Sequence, residues 1–137
     1  MCSSDLSFPG GRTDPGDDDL LATALREAEE EIGLAPSDVE LLGALPPVST
    51  VVTGYKVHPF VGRIPEGLAF SPNPHEVAAV LLLHLDELRE GFAMRRLIPR
   101  GIPIRTPTYE VGEHLVWGAT ARILSSLLER IDGAGGD

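Results

Sequence analysis

Four glutamates fall within five positions at Glu27, Glu29, Glu30 and Glu31, preceded by Arg26 and followed by Ile32-Gly33-Leu34. Wound as a helix at roughly 100° per residue, Glu27, Glu30 and Glu31 share one face through i, i+3 and i, i+4 spacing, and Glu29 points elsewhere. Three carboxylates on one face repel each other, and hard divalent cations offset that repulsion. Mg²⁺ and Mn²⁺ prefer carboxylate and water oxygens, and Mg²⁺ is commonly shared between a few carboxylates and substrate phosphates. A glutamate run alone reads as a solvated acidic face. The Gly10-Gly11 pair just upstream changes that reading, because glycines let a backbone approach where a side chain would obstruct.

The elements that must position these residues can be sketched from local signals. Asp17-Asp18-Asp19 supplies N-cap candidates and negative charge for a helix over about Asp19–Ile32, with Gly33 as its C′ residue. Leu21, Ala24, Leu25, Ala28 and Ile32 form the apolar stripe of that helix. Ser7-Phe8 reads as the end of a strand leading into the Pro9–Gly16 turn region. Val39–Leu45 and Gly54–Ile64 read as strands, with Pro59 marking an edge or bulge. Val77–Leu85 is a continuous apolar run of strand length, predicted as a buried strand. Asp86–Glu90 is predicted as a short helix and Ile104–Val111 as a strand pair. His114–Ile131 is predicted as an amphipathic helix carrying Leu115, Ala119, Ile123 and Leu127. Strands mixed with two substantial helices indicate a sheet packed between helices, an α/β class.

Bulk properties narrow the function. The 137 residues fit one domain, and 42% hydrophobic content supports a core. A net charge of −10 argues against nucleic-acid or anionic-membrane partners. No apolar run approaches the roughly 18 residues of a membrane span. The single cysteine, Cys2, excludes an internal disulfide and fits a cytoplasmic location. Residues 1–6 lack periodicity and match one frame of a common sequencing-adapter end. They are expected to be non-native or disordered, with the domain over 7–131 and a frayed polar tail over 132–137.

Gly10-Gly11, an acidic segment, and Arg26-Glu27-Ala28-Glu29-Glu30-Glu31-Ile32-Gly33-Leu34 together resemble the Nudix box. The resemblance implies a Nudix-type α/β/α sandwich with a mixed sheet and a loop–helix–loop active site. It also implies metal ligands at Glu27, Glu30 and Glu31 for Mg²⁺ or Mn²⁺, and a salt bridge from Arg26 to a glutamate. Fourteen residues separate Gly11 from Arg26, one more than in the usual box. Asp17 or Asp18 stands at the acidic position. The longer spacing, with Ser7-Phe8-Pro9 and Ala24-Leu25, looks like the coenzyme A pyrophosphatase branch. Leu45-Pro46-Pro47, Thr53-Gly54-Tyr55, Val57, Pro59, Val61-Gly62, Asn73-Pro74 with Glu76-Val77, and Val116 to Ala121 extend that likeness. The branch's upstream Leu-Leu-Thr signature has no counterpart here, so a fragment lacking one or more N-terminal strands is expected. An edge exposed in that way would invite homodimerisation.

The implied reaction is attack by water on phosphorus, with metals neutralising the diphosphate. Coenzyme A would yield 4′-phosphopantetheine and adenosine 3′,5′-bisphosphate. One of the glutamates, or hydroxide on the metal, would act as base, and Glu76 is a further metal or base candidate. Gly10, Gly11, Arg12 and Tyr55 are the substrate-binding candidates. Arg95, Arg96, Arg100 and Arg105 form a basic cluster able to meet a phosphate or to sit solvated. Competing readings are a Nudix hydrolase acting on ADP-ribose, a nucleotide sugar or a nucleoside triphosphate, and a catalytically silent nucleotide-binding module.

Overall fold

A computed structural model describes residues 6–50 and 55–135. In chain order the elements are α1 (Leu20–Ile32), β1 (Glu40–Ala44), β2 (Val48–Ser49), β3 (Lys56–Val57) and β4 (Phe60–Arg63). They are followed by α2 (Leu85–Glu90), β5 (Phe92–Leu97), β6 (Ile104–Val111), β7 (His114–Val116) and α3 (Gly118–Gly135). The class is α/β as expected. The described strands form three antiparallel ladders, β1–β4, β2–β3 and β5–β6–β7, with no parallel pairing among them. None of the helices is long and apolar enough to cross a membrane among the described residues.

The chain divides into two compact units. One comprises Phe8–Ala44 and Phe60–Leu82 and carries α1 with the β1–β4 ladder. The other comprises Leu45–Pro59 and Leu83–Asp137, together with Leu6 and Ser7.

The second unit holds the larger core. Leu88, Tyr109, Val111, Val116, Ala121, Leu124 and Leu128 are buried together, and Leu6, Leu83 and Leu85 pack against them. Of residues 1–6, expected to be non-native or disordered, 1–5 lie outside the described residues and only Leu6 is described. Burying such side chains is the main stabilising contribution. Polar groups within the sheet are satisfied locally. The Thr108 hydroxyl donates to the Ala93 carbonyl at 2.7 Å, and the Thr106 hydroxyl accepts the Gly118 amide at 2.9 Å at the start of α3. Tyr109 and Ser125 share a 2.6 Å hydroxyl–hydroxyl bond.

Gly91 is required by close approach. A Cβ there would fall 2.0 Å from the Glu110 carbonyl oxygen, a backbone atom that cannot swing aside. Gly91→Ala is therefore expected to destabilise by about 2 kcal/mol, the overpacking range. That corresponds to a fall in Tm of roughly 5–10 °C, measurable by scanning calorimetry.

In the first unit, α1 is bounded by strong local signals. The Asp19 side chain accepts the Ala22 amide at 2.8 Å, and Gly33 ends the helix at φ 72°. Its amide and that of Leu34 return to the Glu29 and Ala28 carbonyls. The β1–β4 register shifts between Leu41 and Gly43, so Leu42 is a bulge residue. The bulge that Pro59 suggested thus lies in the partner strand β1 and not at the proline itself.

Several expectations are corrected. Ser7-Phe8 is not a strand, and the Gly54–Ile64 strand is two short ones, with Gly54 outside the described residues. Val77–Leu85 forms no strand, and Leu82 is 74% exposed. An apolar run becomes a buried strand only where a neighbouring edge accepts its backbone groups, and no described ladder includes it. Ile104–Val111 is one strand, not a pair. Its partner β5 was not foreseen. His114–Val116 is a strand instead of the first turn of the last helix. The Val111↔His114 pairing leaves Gly112-Glu113 as a two-residue hairpin loop with Gly112 at φ 59°. The polar tail expected from Asp132 is helical through Gly135.

Candidate active site

Arg26 is the organising side chain of the first unit. Its Nε and Nη2 donate to the two Asp17 carboxylate oxygens at 2.9 and 3.1 Å. Nη1 donates to Glu27 at 3.2 Å and to Glu30 at 3.1 Å, and lies 3.4 Å from Asp14. Nη2 also donates to the Arg12 carbonyl at 3.0 Å. One planar guanidinium thus ties the Gly-rich loop to two glutamates of α1, a task suited to its fixed fork of donors.

The acidic position left open between Asp17 and Asp18 is Asp17. Its side chain is 6% exposed and accepts from Arg26, from the Asp14 amide at 2.8 Å and from the Thr23 hydroxyl at 2.9 Å. The Arg26 hydrogen bonds, then the Asp14 amide, hold its carboxyl down at about 2. A lowered carboxyl pKa contributes stability that is complete above the unfolded value near 4 and lost as pH falls towards about 2. Asp17→Asn is expected to lower Tm at about pH 6, with the gap to wild type closing between about pH 4 and 2. Thermal melts across that range check it.

Glu31 lies on the opposite flank of the loop. Its Oε2 accepts the Gly10 amide at 2.8 Å. Burial raises its carboxyl pKa most, the Gly10 amide opposes the shift, and the charges of Glu27 and then Glu76 add to it. Gly11 sits against Glu27: a Cβ on it would stand 2.5 Å from Glu27 Oε1, whereas one on Gly10 would meet nothing within 4 Å. The two glycines therefore have different roles. Gly11→Ala is expected to leave Tm nearly unchanged, because the flexible Glu27 carboxylate can shift, yet to lower kcat about tenfold to a hundredfold by displacing it. Gly10→Ala should keep the wild-type Tm.

A loop after β4 closes this arrangement. The Ser71 and Asn73 amides donate to the Ile32 and Glu31 carbonyls, both at 2.8 Å, capping the end of α1. Glu76, three residues on, is thereby brought into electrostatic reach of Glu31. Arg26, Glu27, Glu30, Glu31, Gly10, Gly11 and Glu76 all belong to this unit. Arg12 contributes its carbonyl to Arg26. Tyr55 belongs to the other unit and is 53% exposed; its carbonyl accepts the Thr50 amide and its amide donates to the Thr50 hydroxyl.

The Nudix domain model matches residues 2–101. The chain belongs to the Nudix family. Similar proteins include the uncharacterized Nudix hydrolase NudL of Photorhabdus laumondii, 39% identical over 128 residues, covering 92% of this chain and 68% of that protein. The NudL proteins of Escherichia coli O7:K1 and Pectobacterium atrosepticum are 41% and 39% identical over 131 residues, each covering 92% of this chain and 66% of the relative. The chain spans about two thirds of the length of these relatives. It is accordingly a hydrolase of pyrophosphate bonds, and the loop–α1 segment described above is its Nudix box.

Nudix hydrolases use divalent metal ions, and the donor set here suits them. Glu27, Glu31 and Glu76 are hard oxygen donors; burial first, and then the charges of Glu27 and Glu76, disfavour ionised Glu31, and a cation would offset that. Among the described residues no three such side chains already converge as a metal cage. Glu27 and Glu30 are instead engaged by Arg26. The sequence left the acidic position open between Asp17 and Asp18 and did not single out Asn73 as a site residue. The Thr23 and Arg26 partners that select Asp17 are set by how the loop folds.

Proposed function

We propose that this Nudix hydrolase cleaves the diphosphate of coenzyme A or an acyl-coenzyme A, giving 4′-(acyl)phosphopantetheine and adenosine 3′,5′-bisphosphate. The observation that supports diphosphate chemistry best is that the Gly10-Gly11 loop meets two glutamates of α1, Glu31 on the Gly10 amide and Glu27 against Gly11. The coenzyme A assignment draws on the additional residue between Gly11 and Arg26. Glu27, Glu30 and Glu31 would hold Mg²⁺ or Mn²⁺, which supplies charge neutralisation of the diphosphate and activation of water.

The chain's own residues divide the remaining work. Arg26 fixes Glu27 and Glu30 relative to the loop, so the ligands are oriented before substrate arrives. Gly11 admits the Glu27 carboxylate against the loop backbone, and Gly10 orients Glu31 through its amide. Glu76 is assigned to take the proton from the attacking water. Arg12 is assigned to substrate binding.

The test is incubation of the purified chain and Mg²⁺ with coenzyme A, ADP-ribose, nucleotide sugars and nucleoside triphosphates, with products read by mass spectrometry. Release of 4′-phosphopantetheine from coenzyme A is the expected outcome. Turnover of ADP-ribose or a nucleotide sugar with none of coenzyme A would keep the chemistry and overturn the substrate.

A further inference from the structure

Asn73 makes more local contacts than a loop residue needs. Its amide donates to the Glu31 carbonyl at 2.8 Å, its side-chain Oδ1 accepts the His75 amide at 3.0 Å, and its carbonyl accepts the amides of Glu76 at 3.0 Å and Val77 at 2.8 Å. The Asn73-to-Glu76 bond closes a four-residue turn with asparagine first and Pro74 second, where asparagine and a φ-restricted proline are each favoured. The Oδ1 bond adds an Asx turn inside it. One end of this double turn is anchored on the backbone of Glu31 and the other end carries Glu76.

We propose that Asn73 is a positioning residue whose turn holds Glu76 to the Glu31 end of α1, although 45 positions separate the two glutamates. This rests on the proposed diphosphate hydrolysis, with Glu76 at its site. The backbone bonds survive a substitution at Asn73 by any residue but proline. The Oδ1 bond is what a side-chain change removes, loosening the aim of Glu76 while leaving the cap on α1.

The test is a double-mutant cycle of Asn73→Ala and Glu76→Gln, read on kcat, KM and Mn²⁺ affinity by electron paramagnetic resonance, with amide hydrogen exchange at His75 to Val77. Asn73→Ala is expected to lower kcat about tenfold with KM unchanged, to speed exchange of those amides, and to cost little in the Glu76→Gln background. Asn73→Ser, which keeps a neutral acceptor, is expected to recover part of the loss. Additive losses in the cycle, or unchanged exchange in Asn73→Ala, would overturn the proposal. So would a Glu76→Gln variant indistinguishable from wild type in both kcat and Mn²⁺ affinity. A Glu30→Gln control that keeps full turnover marks failure of the hydrolase-site reading instead, and the exchange data then judge the turn by themselves.

Discussion

Glu31→Gln is expected to lower kcat about a hundredfold or more while leaving the metal-free fold as stable as wild type, or more so. Both halves follow from the same crowding. Glu31 is partly buried and shares its surroundings with the charges of Glu27 and Glu76, so its ionised form is disfavoured in the folded chain. Glutamine keeps the acceptor for the Gly10 amide and removes the repelled charge. The activity loss arises because an amide oxygen is a poor substitute for a carboxylate toward a divalent cation. Thermal melts separate the two effects. Mg²⁺ or Mn²⁺ should raise the wild-type Tm by mass action and raise that of Glu31→Gln much less. A Glu31→Gln variant that melts well below wild type without metal would show that its charge supports the fold and not the site.

Arg26→Ala is expected to lower kcat about tenfold to a hundredfold and, unlike Glu31→Gln, to lower Tm as well. The side chain holds Asp17, Glu27, Glu30 and the Arg12 carbonyl simultaneously. Removing it leaves Asp17, only 6% exposed, without its charge partner and frees two glutamates to wander. Arg26→Lys should rescue little, since one ammonium cannot reproduce two parallel bonds to Asp17 together with those to Glu27 and Glu30. Kinetics and melts on the pair check this, and full activity in Arg26→Lys would contradict the fork geometry.

Much of this site was legible because its signals are local. Asp19 and Gly33 bound α1 through caps that act within one turn, and the Glu27, Glu30 and Glu31 spacing follows from helix geometry alone. What was not legible depends on distant partners. Choosing Asp17 over Asp18 requires the loop to fold back on Thr23 and Arg26. Strand β5, Phe-Ala-Met-Arg-Arg-Leu, carries two arginines and exists by its pairing with β6 from Phe92↔Tyr109 to Leu97↔Ile104. Val77–Leu85 has a strand's composition and no ladder to join. Leu115 fits the helical period of the last helix, yet Gly112-Glu113 turns the chain into a hairpin and places it on β7. That glycine was the available signal for the hairpin.

The most direct test of the central claim is hydrolysis of a diphosphate substrate in ¹⁸O-labelled water, comparing wild type with Mg²⁺, wild type with chelator, and Glu30→Gln with Mg²⁺. The expected result is one labelled phosphate product from wild type with Mg²⁺, and label reduced to background in the other two. Equal labelling with chelator or in Glu30→Gln would contradict a metal-dependent reaction run by the carboxylates of α1.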